Sequence, residues 1–123
     1  MLLKNKLYQI LESGNNESGF TYTIQISDKH PIFKGHFPES PVLPGVCILQ
    51  IFKEISEITL PDKKNLQYRE IKQCKFQTPV LMNGPRALIV ELTLRQDQES
   101  WHLTATLKDE GSIFAIMKAV LSE

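Results

Sequence analysis

The chain has 123 residues, of which 41% are hydrophobic and 23% are charged. This length is sufficient for a single core, and we expect one domain over residues 1–123. The 14 basic and 14 acidic residues give a net charge of +0 without a basic patch, which argues against nucleic acid and anionic membrane surfaces as partners. The first residues lack the apolar core of a signal peptide, and no stretch is long enough to cross a bilayer. We therefore expect a cytoplasmic protein without a membrane span.

The first part of the chain predicts a hairpin followed by a long loop. Residues 5–13 indicate a weak strand that ends in the turn cluster Gly14-Asn15-Asn16. From Gly19 onward apolar and polar side chains alternate, which is typical of a half-buried strand. Residues 27–44 contain four prolines and predict a loop. Loops of this length inside a compact domain are usually functional or disordered.

The second part predicts one helix and then a series of strands. The helix begins at about Pro44 or Gly45 and ends at about Ile58, and its first two turns are apolar nearly all round. A narrow polar stripe along it consists of Gln50, Lys53, Glu54 and Glu57. Strands are predicted within residues 66–80, 86–96, 101–108 and 113–121, the last apolar on both faces and therefore central. This pattern predicts an α+β fold with a mostly antiparallel sheet curled around the helix.

The strongest functional signal lies between His36 and Gln50. Three prolines in this stretch fix φ and remove backbone donors, so the segment is a stiff loop that holds the His36 imidazole and leads directly into the buried helix. The two cysteines, Cys47 and Cys74, have no metal-ligand spacing, and we interpret them as reduced core residues. We expect neither a metal nor an organic cofactor.

The sequence Gly35-His36-Phe37-Pro38-x-x-Pro41-x-x-Pro44-Gly45-Val46 closely resembles the signature of the FabZ/FabA-type β-hydroxyacyl-acyl carrier protein dehydratases. The similarity extends to Ile71-Lys72-Gln73-Cys74-Lys75-Phe76, to Pro79-Val80 and to the closing strands. The resemblance implies a hotdog fold, an acyl thioester on the phosphopantetheine of acyl carrier protein as substrate, and a homodimer or higher oligomer, or a mixed one with a homologue. It also implies sites at the dimer interface, each with a His from one subunit, here His36, and a helix acid from the other.

Dehydration of a 3-hydroxyacyl thioester needs a base at C2, an acid for the departing hydroxyl and a group that stabilises the enolate. An imidazole with a near-neutral pKa suits the first task, and His36 is the expected base. The backbone N–H groups of Gly45 and Val46, at the helix N-terminus, suit the third. We expect the ring of Phe37 to line the acyl tunnel.

The expected helix acid falls on Gln50, which departs from the family pattern. A carboxamide can orient a hydroxyl but cannot donate a proton, and general acid catalysis is typically worth ~10²–10⁴-fold. Glu54, Glu39 or a second proton transfer by His36 are the alternatives. The leading hypothesis is a dehydratase. A catalytically impaired subunit that binds acyl carrier protein or pairs with an active homologue is the second, and a hotdog thioesterase, which the missing carboxylate also disfavours, is the third.

Overall fold

The computed structural model describes residues 2–35, 39–63 and 65–123. The strands in these ranges are β1 (Tyr8–Asn16), β2 (Gly19–Ile26), β3 (Gln67–Phe76), β4 (Arg86–Asp97), β5 (Ser100–Lys108) and β6 (Ile113–Ser122). The helices are α1 (Ile32–Gly35) and α2 (Gly45–Thr59). The long helix and the later strands occur where the sequence predicts them, and the single turn of α1 lies inside the predicted loop. The prediction that Gly14-Asn15-Asn16 is a turn is wrong, because β1 continues through these residues and the chain turns at residues 17–18, where Oδ1 of Asn16 accepts the N–H of Ser18.

The six strands of the described ranges form one sheet in the order β1-β2-β4-β5-β6-β3, and all neighbouring strands are antiparallel. In β2, β4 and β5 alternate side chains enter the core, where Ile24, Val90 and Leu107 are fully buried. The strand β6 lies between β5 and β3, which confirms the prediction that it is internal. The α+β fold with an antiparallel sheet is likewise confirmed.

The edge strand β3 differs from the strands at the centre of the sheet. The strand β3 is mostly exposed, and its pairing with β6 shifts register near Glu70 and again near Gln73. Such irregularities twist an edge strand and limit uncontrolled pairing with other chains. Cys74 lies on this edge and is exposed, so the prediction that it is a core residue is wrong, whereas Cys47 is buried. A strand with few buried side chains cannot be distinguished from an internal one by its apolar residues alone.

The helix α2 packs against the inner face of the sheet. Pro44 caps it in an extended conformation (φ −65°), and Ile51, Phe52 and Ile55 insert into the common core. The helix ends where the N–H of Leu60 donates to the carbonyl of Ser56, at 3.0 Å. Among the described residues, no helix combines the length and the apolar character needed to cross a membrane.

Two main-chain hydrogen bonds hold the second half of the proline loop against the segment that follows β3. The N–H of Leu43 donates to the carbonyl of Val80 at 3.0 Å, and the N–H of Met82 donates to the carbonyl of Pro41 at 2.9 Å. We refer to these two bonds as the backbone clamp. The clamp fixes the loop immediately before Pro44 and therefore fixes the point at which α2 begins.

Candidate active site at the start of the central helix

The sequence-predicted site residues lie on both sides of Pro44. His36 and Phe37, the predicted base and the predicted tunnel residue, lie outside the described residues. Gly45, Val46 and Gln50 all belong to the first two turns of α2. Because Val46 and Gln50 are four residues apart, they occupy the same face of the helix one turn from each other.

The N-terminus of α2 has no side-chain cap and no acidic residue in its first turn. The first intrahelical bonds are donated by Cys47 and Ile48 to the carbonyl of Pro44, at 3.0 and 3.2 Å. The N–H groups of Gly45 and Val46 come before these first bonds, and the first N–H groups of any helix have no acceptor within the helix itself. Their position at the positive end of the helix dipole suits an oxygen that develops negative charge.

An apolar groove of about 520 Å³ opens beside this helix end. The helix contributes Val46 and Leu49 to its walls, the last residue of β3 contributes Phe76, and the segment after β3 contributes Val80. An ideal Cβ placed on Gly45 would lie 2.8 Å from Cζ of Phe76. A side chain at position 45 would therefore displace the phenyl ring of Phe76, which covers this part of the helix start.

Two large apolar side chains that line this groove are exposed, Val46 by 70% and Phe76 by 51%. Leu81, which follows the lining residue Val80 in the chain, is 57% exposed. Contiguous apolar surface of this kind usually marks a ligand groove or a contact with another protein chain. The neighbouring edge of β3 pairs with no strand of the described ranges, so main-chain donors and acceptors are available beside the same surface.

Gln50 is held by the carboxyl group of Glu54. Its Nε2 donates to Oε2 of Glu54 at 2.7 Å across one helical turn. The same oxygen accepts the N–H of Leu3 at 2.7 Å. The other oxygen, Oε1, accepts the N–H of Lys4 at 2.9 Å and the hydroxyl of Tyr8 at 3.0 Å.

Glu54 is therefore a buried anchor and not part of a solvated stripe. Glu54 is only 3% exposed, although the sequence pattern assigned it to the narrow polar stripe of the helix together with Gln50, Lys53 and Glu57. The discrepancy arises because its donors come from the N-terminal segment, about fifty residues away along the chain. Burial, together with the adjacent Glu54 carboxylate, raises the pKa of Tyr8 well above its usual range, which keeps the phenol protonated.

The remaining candidates have local contacts. Glu39, proposed as an alternative acid, is exposed. Nδ1 of His30 accepts the N–H of Ile32 at 3.1 Å and so stabilises the start of α1. His102 lies 3.3 Å from Asp97 on the exposed β4–β5 hairpin. Within the described ranges, no group of three or more His, Cys, Asp and Glu side chains could hold a metal ion.

The profile of the ApeI-like family, described as ApeI dehydratase, matches residues 12–118. The chain belongs to this family. Curated relatives include a 3-hydroxyacyl-[acyl-carrier-protein] dehydratase FabZ from Nitrosomonas europaea, 28% identical over 84% of this chain and 70% of the relative. The FabZ of Dechloromonas aromatica is 27% identical over 94% of this chain and 84% of the relative. The FabZ of Macrococcus caseolyticus is 31% identical, and there the match spans 68% of this chain and 59% of the relative.

Solved structures agree on the fold of this ApeI-like chain. The dehydratase heterocomplex ApeI:P from Xenorhabdus doucetiae superposes with a TM-score of 0.68 at 19% identity, over 94% of this chain and 97% of that one. The BH2602 protein of Bacillus halodurans, solved with CoA, gives a TM-score of 0.59 at 16% identity, over 91% of this chain and 72% of that one. These likenesses confirm the predicted hotdog fold. The family and its FabZ relatives confirm a dehydratase-like function.

Proposed function

We propose that the chain acts on 3-hydroxyacyl thioesters carried by acyl carrier protein and catalyses their reversible dehydration. The observation that carries this proposal is the apolar groove that opens at the uncapped start of α2, beside Gly45 and Val46. The groove supplies an apolar surface for the acyl chain, and the helix end supplies donors for the thioester oxygen. The FabZ relatives, whose names specify acyl carrier protein substrates, support the same substrate class.

In this proposal the imidazole of His36 takes the proton from C2, and the N–H groups of Gly45 and Val46 stabilise the enolate oxygen that results. Collapse of the enolate forms the C2=C3 double bond and expels the C3 hydroxyl. The imidazolium of His36 returns the proton to that hydroxyl, which leaves as water. One residue performs both proton transfers because Gln50 has no acidic proton to contribute. The ring of Phe37 is assigned to the wall of the acyl tunnel.

The test is the hydration of an enoyl thioester by the purified protein, followed by loss of enoyl absorbance. We expect turnover by the wild type and a loss of at least about 100-fold in His36→Ala. His30→Ala is the matched control, since it removes an imidazole from the same loop whose described contact is local, and it should retain turnover. Equal activity of His36→Ala and the wild type would refute the assignment of the base.

A second candidate function is a subunit with impaired catalysis that pairs with an active homologue. Two observations favour it: the amide at position 50, and the exposed apolar surface around Val46 beside the open edge of β3. The ApeI:P structure is a heterocomplex of dehydratases, so such pairing exists within this fold. In this case the partner covers the groove and contributes the acid that Gln50 cannot provide.

Sedimentation and activity separate the two candidates. The oligomeric state and the hydration activity are measured for three samples: the wild type alone, Gln50→Glu alone, and the wild type co-expressed with a dehydratase homologue. The homologue carries a carboxylate at the corresponding helix position. Turnover by the homodimer alone supports the first candidate. A silent wild type that gains activity in Gln50→Glu or in the mixed oligomer supports the second. A cytoplasmic location belongs to both proposals and agrees with the two free thiols. We do not propose a thioesterase, because the family match is to dehydratases.

A further inference from the structure

One wall of the apolar groove is formed by the segment between β3 and β4. This segment contributes Thr78, Pro79 and Val80 to the groove, whereas α2 contributes Val46 and Leu49. We refer to residues 77–82 as the groove wall. Because α2 is anchored in the core, the width of the groove depends on how firmly the groove wall is held.

The backbone clamp holds only one edge of the groove wall. Its two bonds enclose an isolated antiparallel bridge between Val42 and Leu81. In an antiparallel pair, a residue enclosed in this way directs its own N–H and carbonyl groups to the opposite edge. The carbonyl of Leu81 therefore points away from the proline loop, on the side that the clamp does not hold.

Arg86 contacts the groove wall on that second edge. Its Nη1 donates to the carbonyl of Leu81 at 2.9 Å, and its Nη2 donates to Oδ2 of Asp109 at 2.8 Å. The guanidinium lies over the ring of Phe114, with Cζ 4.9 Å from the ring centroid. The carbonyl of Phe114 accepts the N–H of Gln77 at 2.9 Å, so Phe114 also contacts the other end of the groove wall.

The groups that hold the guanidinium are themselves fixed. The main chain of Arg86 belongs to β4 and pairs with β2. Oδ1 of Asp109 accepts the N–H groups of Gly111 and Ser112 at 2.9 and 2.8 Å, which sets the orientation of its carboxylate. A planar guanidinium can bridge two such acceptors because its N–H groups form a rigid fork. Arg86 therefore connects the groove wall to the rigid sheet.

We propose that Arg86 is a positioning residue that holds the groove wall in close contact with the acyl chain and thereby sets the preference for chain length. This inference rests on the proposed function, because it takes the groove to be the acyl site. Arg86 does not line the groove and acts through Leu81. A methylene group is fully buried only when both walls contact it, whereas a wall that is free to move leaves part of its surface in water.

The first experiment measures the groove wall without ligand or activity. Arg86→Met keeps an apolar stem beside Phe114 and removes both side-chain hydrogen bonds, so the groove wall should open more often. In amide hydrogen exchange followed by NMR, the N–H groups of Leu43 and Met82 should exchange about 3- to 10-fold faster, which corresponds to the loss of one hydrogen bond. Unchanged exchange of both N–H groups would overturn the proposal.

Lys108→Met is the matched control for this measurement. The side chain of Lys108 is 32% exposed and that of Arg86 is 30% exposed, and their ion pairs have similar lengths of 2.9 and 2.8 Å. The partner of Lys108 is Glu91, and neither of these two residues lines the groove. The exchange of the clamp N–H groups in Lys108→Met should therefore match that of the wild type.

The second experiment measures by calorimetry the binding of pantetheine thioesters that carry butanoyl, hexanoyl or octanoyl chains. In the wild type, affinity should rise about fourfold for each methylene that both walls contact. In Arg86→Met this gain should fall to about twofold or less, while Lys108→Met retains it. A purely structural role of Arg86 would lower stability and leave the gain unchanged. Arg86→Lys should give an intermediate gain, because one ammonium group replaces a fork that reaches two acceptors.

The outcomes separate this inference from the proposed function. If Arg86→Met and the wild type show the same gain per methylene, the inference is wrong and the substrate class stands. If no thioester binds, or if wild-type affinity does not depend on chain length, the groove is not the acyl site, and both the proposed function and this inference are overturned. Should Arg86→Met fail to fold, Arg86→Lys decides the question, since a gain equal to that of the wild type would refute the inference.

Discussion

The start of α2 and the region around Glu54 further along the helix are built in opposite ways, and we refer to them as the open end and the closed end. At the start, around Val46, the helix has no side-chain cap, faces an apolar groove and exposes large apolar side chains. One turn beyond Gln50, the buried carboxyl group of Glu54 receives donors from Leu3, Lys4 and Tyr8. The open end presents the first N–H groups of the helix and an apolar groove, while at the closed end the carboxyl group of Glu54 accepts hydrogen bonds on both oxygens. The difference indicates that the start of α2 serves ligand binding and the region around Glu54 serves stability. Gln50 lies between the two regions.

The largest effect should follow from breaking the closed end with Glu54→Leu. The buried N–H of Leu3 and the partly buried N–H of Lys4 would both lose their acceptor, so we expect a loss of about 3–5 kcal/mol in the free energy of unfolding. Urea denaturation measures this loss. Glu57→Gln serves as the control with a much smaller effect. A loss below about 1 kcal/mol would mean that the N-terminal segment does not depend on Glu54.

A substitution at the open end should change the self-association of the protein and not the stability of the monomer. Val46→Asp places a charge on the exposed apolar surface, and an acid in the first helical turn is favourable for the helix itself. We expect unchanged or slightly increased monomer stability and a weakening of self-association by about 30- to 100-fold, which corresponds to burial of one Val side chain. Sedimentation equilibrium gives the dissociation constant. An unchanged constant would show that this surface is not covered by a second subunit.

Alkaline pH should weaken the closed end selectively. Burial, reinforced by Glu54, raises the pKa of Tyr8 in the folded state above its unfolded value of about 10. The resulting stability is fully present below that pH and is lost as pH rises, at up to about 1.4 kcal/mol per pH unit for one proton. Stability curves of the wild type and Tyr8→Phe, measured between neutral pH and the alkaline limit, should diverge only above about pH 10. Parallel curves would contradict the burial of the Tyr8 phenol beside Glu54.

The smallest effect on stability is expected at Gly45. In Gly45→Ala the new methyl group meets the ring of Phe76, whose exposed side chain can move aside. The higher helix propensity of Ala offsets the cost of displacing the ring, so the free energy of unfolding should change by less than about 1 kcal/mol. The displaced ring narrows the groove and weakens thioester binding. Gly45→Ala/Phe76→Ala should restore that binding. Unchanged affinity in the single variant would exclude this wall of the groove from the ligand site.

The sequence was sufficient to predict the parts of the structure that depend on local pattern. Pro44 and Pro61 bracket α2, and the alternation in β2, β4 and β5 identifies the core face. The sequence did not predict that Glu54 is buried, because its donors belong to residues 3, 4 and 8 and no local pattern encodes that distance. It also misplaced Cys74, since edge and internal strands share the same apolar residues. The assignment of His36 and Phe37 stays a prediction from the motif.

The backbone clamp has a consequence for how the groove can diversify. Its bonds join the main chain of Pro41 and Leu43 to that of Met82 and Val80, and hydrogen bonds of this kind do not depend on which side chains the residues carry. The path of the groove is therefore set by the main chain, while its width and depth are set by side chains such as Val42 and Val80. Substitutions at such positions can change the accommodated ligand without moving the start of α2. The ligand selectivity of the groove can therefore change while the main-chain path that the backbone clamp fixes stays the same.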